Sequence, residues 1–287
     1  EKAGEWFGDK YRILIDKGID GFWNDMNEPA IFYSEKHLKE VFEKLEDYKK
    51  MNLDVNTFFE MQGMVGSICN NPEDYASFYH NYKGRHYRHD QVHNLFGYYM
   101  TRSASEAFER YVPEKRILLF SRASYIGMHR FGGIWQGDNA SWWSHLKMNV
   151  KMMPSLNMCG FLYTGADAGG FGNDTTEDLM LRWLEFAVFT PLLRNHSARG
   201  TRRQEVYRFS HVEKFADVIG VRYQILPYIY SEYMKAALQN TMMFNPLSFL
   251  YGEDALAGQV EDQLFIGENV MVAPVCEQNV SGRVVYF

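Results

Sequence analysis

At 287 residues the chain has room for one large domain plus a smaller piece, and 46% hydrophobic residues supply a sizeable core. A net charge of −6 argues against nucleic acid or an anionic membrane surface as partner, and no apolar run nears the ~20 residues of a membrane helix. Cys69, Cys159 and Cys276 are odd in number and far apart, which suits neither a disulfide framework nor a zinc site and points to a reducing compartment, the cytoplasm.

Residues 1–18 read as a helix with an apolar face of Trp6, Tyr11, Leu14 and Ile15, stopped by Gly18. Ile19–Trp23 reads as a buried strand whose C-terminal end carries Asn24 and Asp25, followed by Met26-Asn27-Glu28-Pro29. Carboxylates at such strand ends are where α/β enzymes keep their chemistry. Asp25 and Glu28 would equally suit the cap of a following helix, so a functional reading needs a second acid elsewhere.

From about residue 33 to 95 no strand–helix unit fits. His37–Met51 is a charged amphipathic helix, Glu60–Cys69 is rich in Met and Gly, and Asn70–His93 is aromatic and basic. The stretch reads as an insertion in the loop after the strand, where barrel enzymes build specificity. Asp54-Val55-Asn56 lacks the glycine and terminal glutamate of a calcium loop and reads as an ordinary turn. His86, His89 and His93, beside Asp90, have the spacing of one helix face, but no second cluster completes a metal site, and a polar helix entry near the substrate is the preferred reading.

Gln91–Tyr111 is a helix closed by Pro113, and Arg116–Ser121 is a continuous apolar strand of the parallel-sheet kind with Arg122 at its end. The second acid follows in Phe131-Gly132-Gly133-Ile134-Trp135-Gln136-Gly137-Asp138, another short strand running into a carboxylate. Glycosidic bond cleavage needs such a pair, one acid kept ionised to attack and one kept protonated for the leaving oxygen. A carboxyl must be lifted by ~2–3 units to donate near neutral pH, and burial against an indole does this, so Trp135 is expected to bury Asp138.

A helix over about 141–156 and a strand over Met158–Thr164 lead to Asp167 in a glycine-rich loop, which lacks the G-x-x-x-x-G-K-S/T pattern of a phosphate cradle. Thr175 and Asp178 have capping-box spacing, and Leu179, Trp183 and Ala187 recur as a core stripe. Val188–Leu193 reads as a short strand ending at Arg194 and His196. His211–Gln239 is a long helix kinked at Pro227. Beyond Met243 come short strands at Leu264–Ile266, Val270–Val272 and Arg283–Tyr286, the start of a β domain, with a loop over Tyr251–Glu261. Asn139-Ala140-Ser141 reads as a chance glycosylation sequon.

Trp23-Asn24-Asp25-Met26-Asn27-Glu28-Pro29 resembles the nucleophile motif of glycoside hydrolase family 31, the α-glucosidase family, and Trp135-Gln136-Gly137-Asp138 resembles its acid/base motif. Ser121-Arg122-Ala123, Gly165-Ala166-Asp167-Ala168-Gly169-Gly170-Phe171 and Arg194-Asn195-His196-Ser197 resemble three further blocks in the same order. The resemblance implies a (β/α)₈ TIM barrel, its later strands over 1–243 with the insertion at about 33–95, then a C-terminal β domain from 244. About five strands are placed by pattern, too few to close eight. With Glu1 no initiator and the end at Val284-Val285-Tyr286-Phe287 inside an expected strand, the chain reads as a fragment.

The function implied is retaining, exo-acting hydrolysis of terminal α-linked glucose, with Asp25 as nucleophile and Asp138 as acid/base. Trp23, Met26, Arg122, Trp135, Asp167, Phe171, Arg194 and His196 are implied to bind the sugar. Glu28 is the rival nucleophile; the resemblance chooses Asp25 and leaves Glu28 to support the loop through Arg122. No cofactor is implied, and an oligosaccharide is the expected partner, with a homo-oligomer built through the insertion. An α-xylosidase or transglucosylase would share these motifs. A metal-dependent barrel hydrolase and a carbohydrate-binding fragment without turnover are the alternatives from other classes.

Overall fold

In a computed structural model, which describes residues 2–287, the chain forms two compact units, one ending at Gly132 and the other spanning Gly133–Phe287. The first unit opens with α1 (Lys2–Lys10) and α2 (Arg12–Ile15), so the expected single helix is broken at Tyr11. Ile15 and Tyr11 turn inward with Phe22, Ala104 and Phe108, while Trp6 and Leu14 of the anticipated apolar face are exposed.

Strand β1 (Gly21–Asn24) is shorter and more exposed than a buried parallel strand would be, and Ile19 lies outside it. The insertion then supplies α3 (Glu35–Tyr48), α4 (Val55–Gly66), α5 (Pro72–Ser77), the hairpin β2 (Tyr79–Tyr82) and β3 (Arg85–Arg88), and α6 (His89–Val92). Asp54 is the N-cap of α4: its side chain accepts from the Thr57 N–H while Thr57 Oγ1 accepts from the Asp54 N–H. This reciprocal cap makes the expected turn a helix start. The long helix α7 (Phe96–Tyr111) leads to β4 (Leu118–Ser121), which pairs in parallel with β1 from Gly21↔Leu118 to Asn24↔Ser121. That register sets the two polar strand ends side by side.

The three histidines do not share a helix face. His86 lies on β3, whereas His89 begins α6 and is fully buried. Its ring stacks on Phe32 at 4.3 Å and its Nδ1 meets His80 Nε2 at 2.9 Å. Burial first, then the nearby His80 and His93, push His89 down to about 4. An unfolded chain therefore binds a proton here between about pH 6.5 and 4 that the folded chain excludes, so stability present above 6.5 is lost as pH falls through that window. We expect His89→Phe to retain on the order of 2–3 kcal/mol that the wild type loses between pH 7 and 4. Parallel denaturant melts across that range check it; parallel pH profiles for the two proteins would refute it.

The second unit contains β5 (Gly133–Ile134), α8 (Trp143–Met158), α9 (Glu177–Ala187), α10 (Val212–Gln239), β6 (Phe244–Pro246), α11 (Leu247–Leu250), β7 (Leu264–Ile266) and β8 (Val270–Val272). Its core is the meeting of three helices: Leu146, Val150 and Met153 of α8, the stripe of Leu179, Trp183 and Ala187 on α9, and Phe215, Ile229 and Ala236 on α10. Trp183 is completely enclosed, as its helical spacing demands. The cap of α9 is Thr176, which accepts from the Leu179 N–H, and not Thr175 one residue earlier. Pro227 lies inside α10, which continues through it to Gln239.

The expected strands at 158–164 and 188–193 do not form: residues 158–160 close α8, residues 188–190 turn off the end of α9, and only the remainders run on as irregular chain. Met158 ends α8; the chain turns at Gly160, after which Tyr163 O and Gly165 O accept from the Ile134 and Gln136 N–H groups. Leu192 N–H donates to Thr164 O, and a single bridge joins Asp167 to Arg194. Strands β6, β7 and β8 form an antiparallel sheet. Arg283–Tyr286 is not a strand; side-chain bonds hold it, with Gln263 accepting from the Tyr286 N–H and donating to its carbonyl. Buried Asn157 ties the end of α8 to this sheet, its Oδ1 accepting from the Met243 and Phe244 N–H groups while its Nδ2 donates to Phe161 O.

Candidate active site

The candidate residues fall into two groups, one in each unit. In the first, β1 delivers Trp23, which stacks on Phe120 at 4.5 Å, and then Asp25 just beyond the strand end. The Asp25 carboxylate accepts from the Met26 N–H at 2.7 Å and is left exposed. Met26 adopts a left-handed backbone, φ 55°, with its side chain in solvent. The next residue, Asn27, is buried, donating to Ser121 Oγ and accepting from the Ala123 N–H. This pin joins the two strand ends.

Arg122, at the end of β4, holds both acids of this loop. Its Nε donates to Glu28 Oε1 at 2.6 Å and its NH1 group to Asp25 Oδ1 at 3.2 Å. Glu28 is the more enclosed acid and takes the shorter bond; Asp25 is the freer one. A guanidinium offers several donors in a rigid fork, so it can orient two carboxylates and keep them apart. The loop is fixed at its far end too: Asp74 accepts from the Ser34 N–H and meets His37 Nδ1 at 2.5 Å. Burial pushes the Asp74 carboxyl up, but the bonds from Ser34 and His37 outweigh it and hold it below the usual range.

In the second unit Trp135 is buried after β5, and Arg194 lies over its ring at 5.7 Å. Gly137, with φ +81°, turns the chain so that Asp138 is exposed while Asn139 is enclosed. The expected burial of Asp138 against the indole is therefore absent: the ring packs inward and the carboxylate points to solvent. Asn139 Oδ1 accepts from Asn149, so the sequon asparagine is a buried structural residue.

Asp167 is wholly buried, with Oδ1 accepting from Arg194 Nε at 2.6 Å. Its Oδ2 has no hydrogen-bond partner among the described residues. Burial pushes this carboxyl above the usual range, and Arg194 only partly offsets it. The loop beyond is packed rather than flexible: a Cβ on Gly170, at φ +88°, would meet the Ser141 backbone at 2.6 Å. Phe171 follows and stacks on His196 at 5.1 Å, with the imidazole exposed. An ion pair beside a stacked, partly exposed aromatic face makes a site suited to a small polyhydroxylated ligand.

Residues 1–232 match the "Glycosyl hydrolases family 31 TIM-barrel domain" and residues 240–287 the "Glycosyl hydrolase family 31 C-terminal domain". The chain belongs to glycosyl hydrolase family 31. Its fold class is accordingly α/β, a portion of the (β/α)₈ barrel followed by C-terminal domain. Alpha-glucosidase 2 of Bacillus thermoamyloliquefaciens is 32% identical over 100% of this chain and 32% of that protein. An alpha-glucosidase of Saccharolobus solfataricus is 28% identical over 98% of this chain and 39% of its own length. Among solved structures, a family 31 alpha-glucosidase from Bacteroides thetaiotaomicron matches with TM-score 0.67 and 27% identity, covering 90% of this chain and 36% of that one. The dextranase FjDex31A of Flavobacterium johnsoniae shares the fold at TM-score 0.76 and 24% identity, covering 97% and 31%. The chain thus spans about a third of the length of the relatives it matches.

Among the described residues no helix is long and apolar enough to cross a membrane.

Proposed function

We propose that the chain carries catalytic residues of a retaining, exo-acting α-glucosidase that releases terminal α-linked glucose from oligosaccharides. The observation that carries this reading is Arg122 gripping Glu28 closely and Asp25 more loosely, which leaves the Asp25 carboxylate exposed beside a cation. A nucleophile needs that state, whereas a helix cap does not. Asp25 attacks the anomeric carbon and forms a glycosyl-enzyme ester. Asp138 gives its proton to the leaving oxygen, then takes one from the water that hydrolyses the ester. Asp167, paired with Arg194, binds sugar hydroxyls, and Phe171 with His196 walls the sugar. Trp23, Met26 and Trp135 complete the binding set. Residues 1–243 are assigned to the catalytic barrel, with its insertion at 33–95, and 244–287 to the C-terminal β domain. The names of the relatives support glucose over xylose.

The test is covalent trapping of the whole protein with a fluorinated α-glucosyl fluoride, followed by peptide mass spectrometry. A label on Asp25 is expected. A label on Glu28 or another residue would overturn the assignment, and faster labelling by the α-xylosyl analogue would replace glucosidase with xylosidase.

A further inference from the structure

The insertion's helical hairpin shows a surface that the described residues leave uncovered. Helix α4 is built from Val55-Asn56-Thr57-Phe58-Phe59-Glu60-Met61-Gln62-Gly63-Met64-Val65-Gly66, with one charged residue, and none of its residues is buried. A 12-residue helix is marginal by itself in water, and an apolar one with no enclosed face lacks its main source of stability. Yet it is specified as a helix by the Asp54–Thr57 capping box. Thr57, Met61 and Met64 form the partly covered stripe, while Phe58, Phe59 and Val65 lie exposed. Phe42, Met51 and Leu53 add further exposed apolar surface around the hairpin. Together these six side chains expose on the order of 700 Å², close to the ~800 Å² each partner contributes to a standard interface.

The chemistry of the surface selects its occupant. Gly63 sits inside α4 at a cost of about 1 kcal/mol relative to Ala, and a Cβ there would meet nothing within 4 Å. The packing of the described residues does not require it; the close approach of another helix would. Phe59 and Gly63 are one turn apart, so α4 presents a ring and a vacancy side by side. An antiparallel copy of the same helix would set each ring over the other's glycine. Charge permits the pairing: α4 has only Glu60, and over residues 35–50 five lysines balance five acids. Several of those charges pair within α3 itself, Lys36 with Glu40, Lys39 with Glu43 and Lys49 with Glu46. Two such hairpins, with helices of 14 and 12 residues, have the matched lengths of a four-helix bundle.

We propose that α4 is an isologous self-association surface, and that the protein dimerises through a four-helix bundle made from two copies of the α3–α4 hairpin. The test is the molar mass of the whole protein by light scattering over a concentration series, with Phe59→Glu and Gly63→Leu beside the wild type. The wild type should show twice the monomer mass and both variants the monomer mass. Because both positions are exposed, far-ultraviolet circular dichroism should remain unchanged. Gly63→Leu is the sharper variant, since it raises helix propensity and fills only the space a partner would occupy. A wild type that stays monomeric overturns the proposal, and protection of α4 from hydrogen exchange in that monomer would place the rest of a longer chain on the hairpin. An oligomer indifferent to both variants overturns it equally.

Discussion

Asp25→Ala in the whole protein is expected to lower kcat by at least ~10⁴-fold with no more than a small loss of stability. The exposed carboxylate makes one bond to Arg122 and one to the adjacent backbone, and exposed ion pairs contribute roughly 0–1 kcal/mol. Arg122 keeps its shorter bond to Glu28 in the variant, so the loop between β1 and α3 should hold its shape. Adding azide or formate as a small external nucleophile should restore turnover, because the cavity left by the methyl side chain lies where the lost oxygen stood. Steady-state kinetics with an activated aryl α-glucoside measure both effects. Activity within tenfold of wild type would remove Asp25 from the mechanism and move the nucleophile to another acid. The companion change Asp138→Ala should cost ~10²–10⁴-fold with a poor leaving group and far less with a good one, the signature of a lost general acid.

Asp167→Asn should lower kcat/KM by about 10²–10³-fold while shifting stability by less than ~1 kcal/mol. The amide keeps an oxygen that accepts from Arg194, so the buried contact survives, but it exchanges the unpartnered Oδ2 for a donor. Bonds from sugar hydroxyls to a carboxylate contribute about 1.5–3 kcal/mol each, and one or two would be lost. Stability moves little because burial has already raised this carboxyl. The folded state holds its proton more tightly than the unfolded state does, so stability from this group is present below the ordinary carboxylate range and is lost as pH rises through the raised value. The asparagine variant should therefore be slightly flatter in stability as pH rises above the ordinary carboxylate range. An equal loss of stability and activity would instead mark Asp167 as a structural ion-pair member, and thermal melts beside kcat/KM separate the two.

The elements legible in the sequence were those whose signal is local and periodic. The α9 stripe of Leu179, Trp183 and Ala187 announced a core helix because burial of one face is all that spacing requires. Arg122 reaching Glu28 was also readable, since two charged groups at neighbouring strand ends have few other partners. The segments at 158–164 and 188–193 were misread as strands because extended apolar residues need a full ladder to become one. Here they make scattered bonds through Tyr163, Gly165 and Leu192. The exposure of Asp138 was hidden because the left-handed turn at Gly137 decides which way the next side chain points. The contact of half-buried His80 with buried His89 depends on a hairpin that brings together residues nine apart, which no helical spacing describes.

The arrangement around Asn157 has a consequence for recombination among relatives. One amide side chain sets the register between the last turn of α8 and the first strand of the C-terminal sheet, residues more than eighty positions apart. A chimera with a crossover near residue 240 inherits its helix from one parent and its sheet from the other. Such a graft will seat properly only when the donor of the helix brings an asparagine at this point and the donor of the sheet leaves two consecutive backbone N–H groups open to it. Compatibility between parents can thus be screened at a single position before any exchange is built.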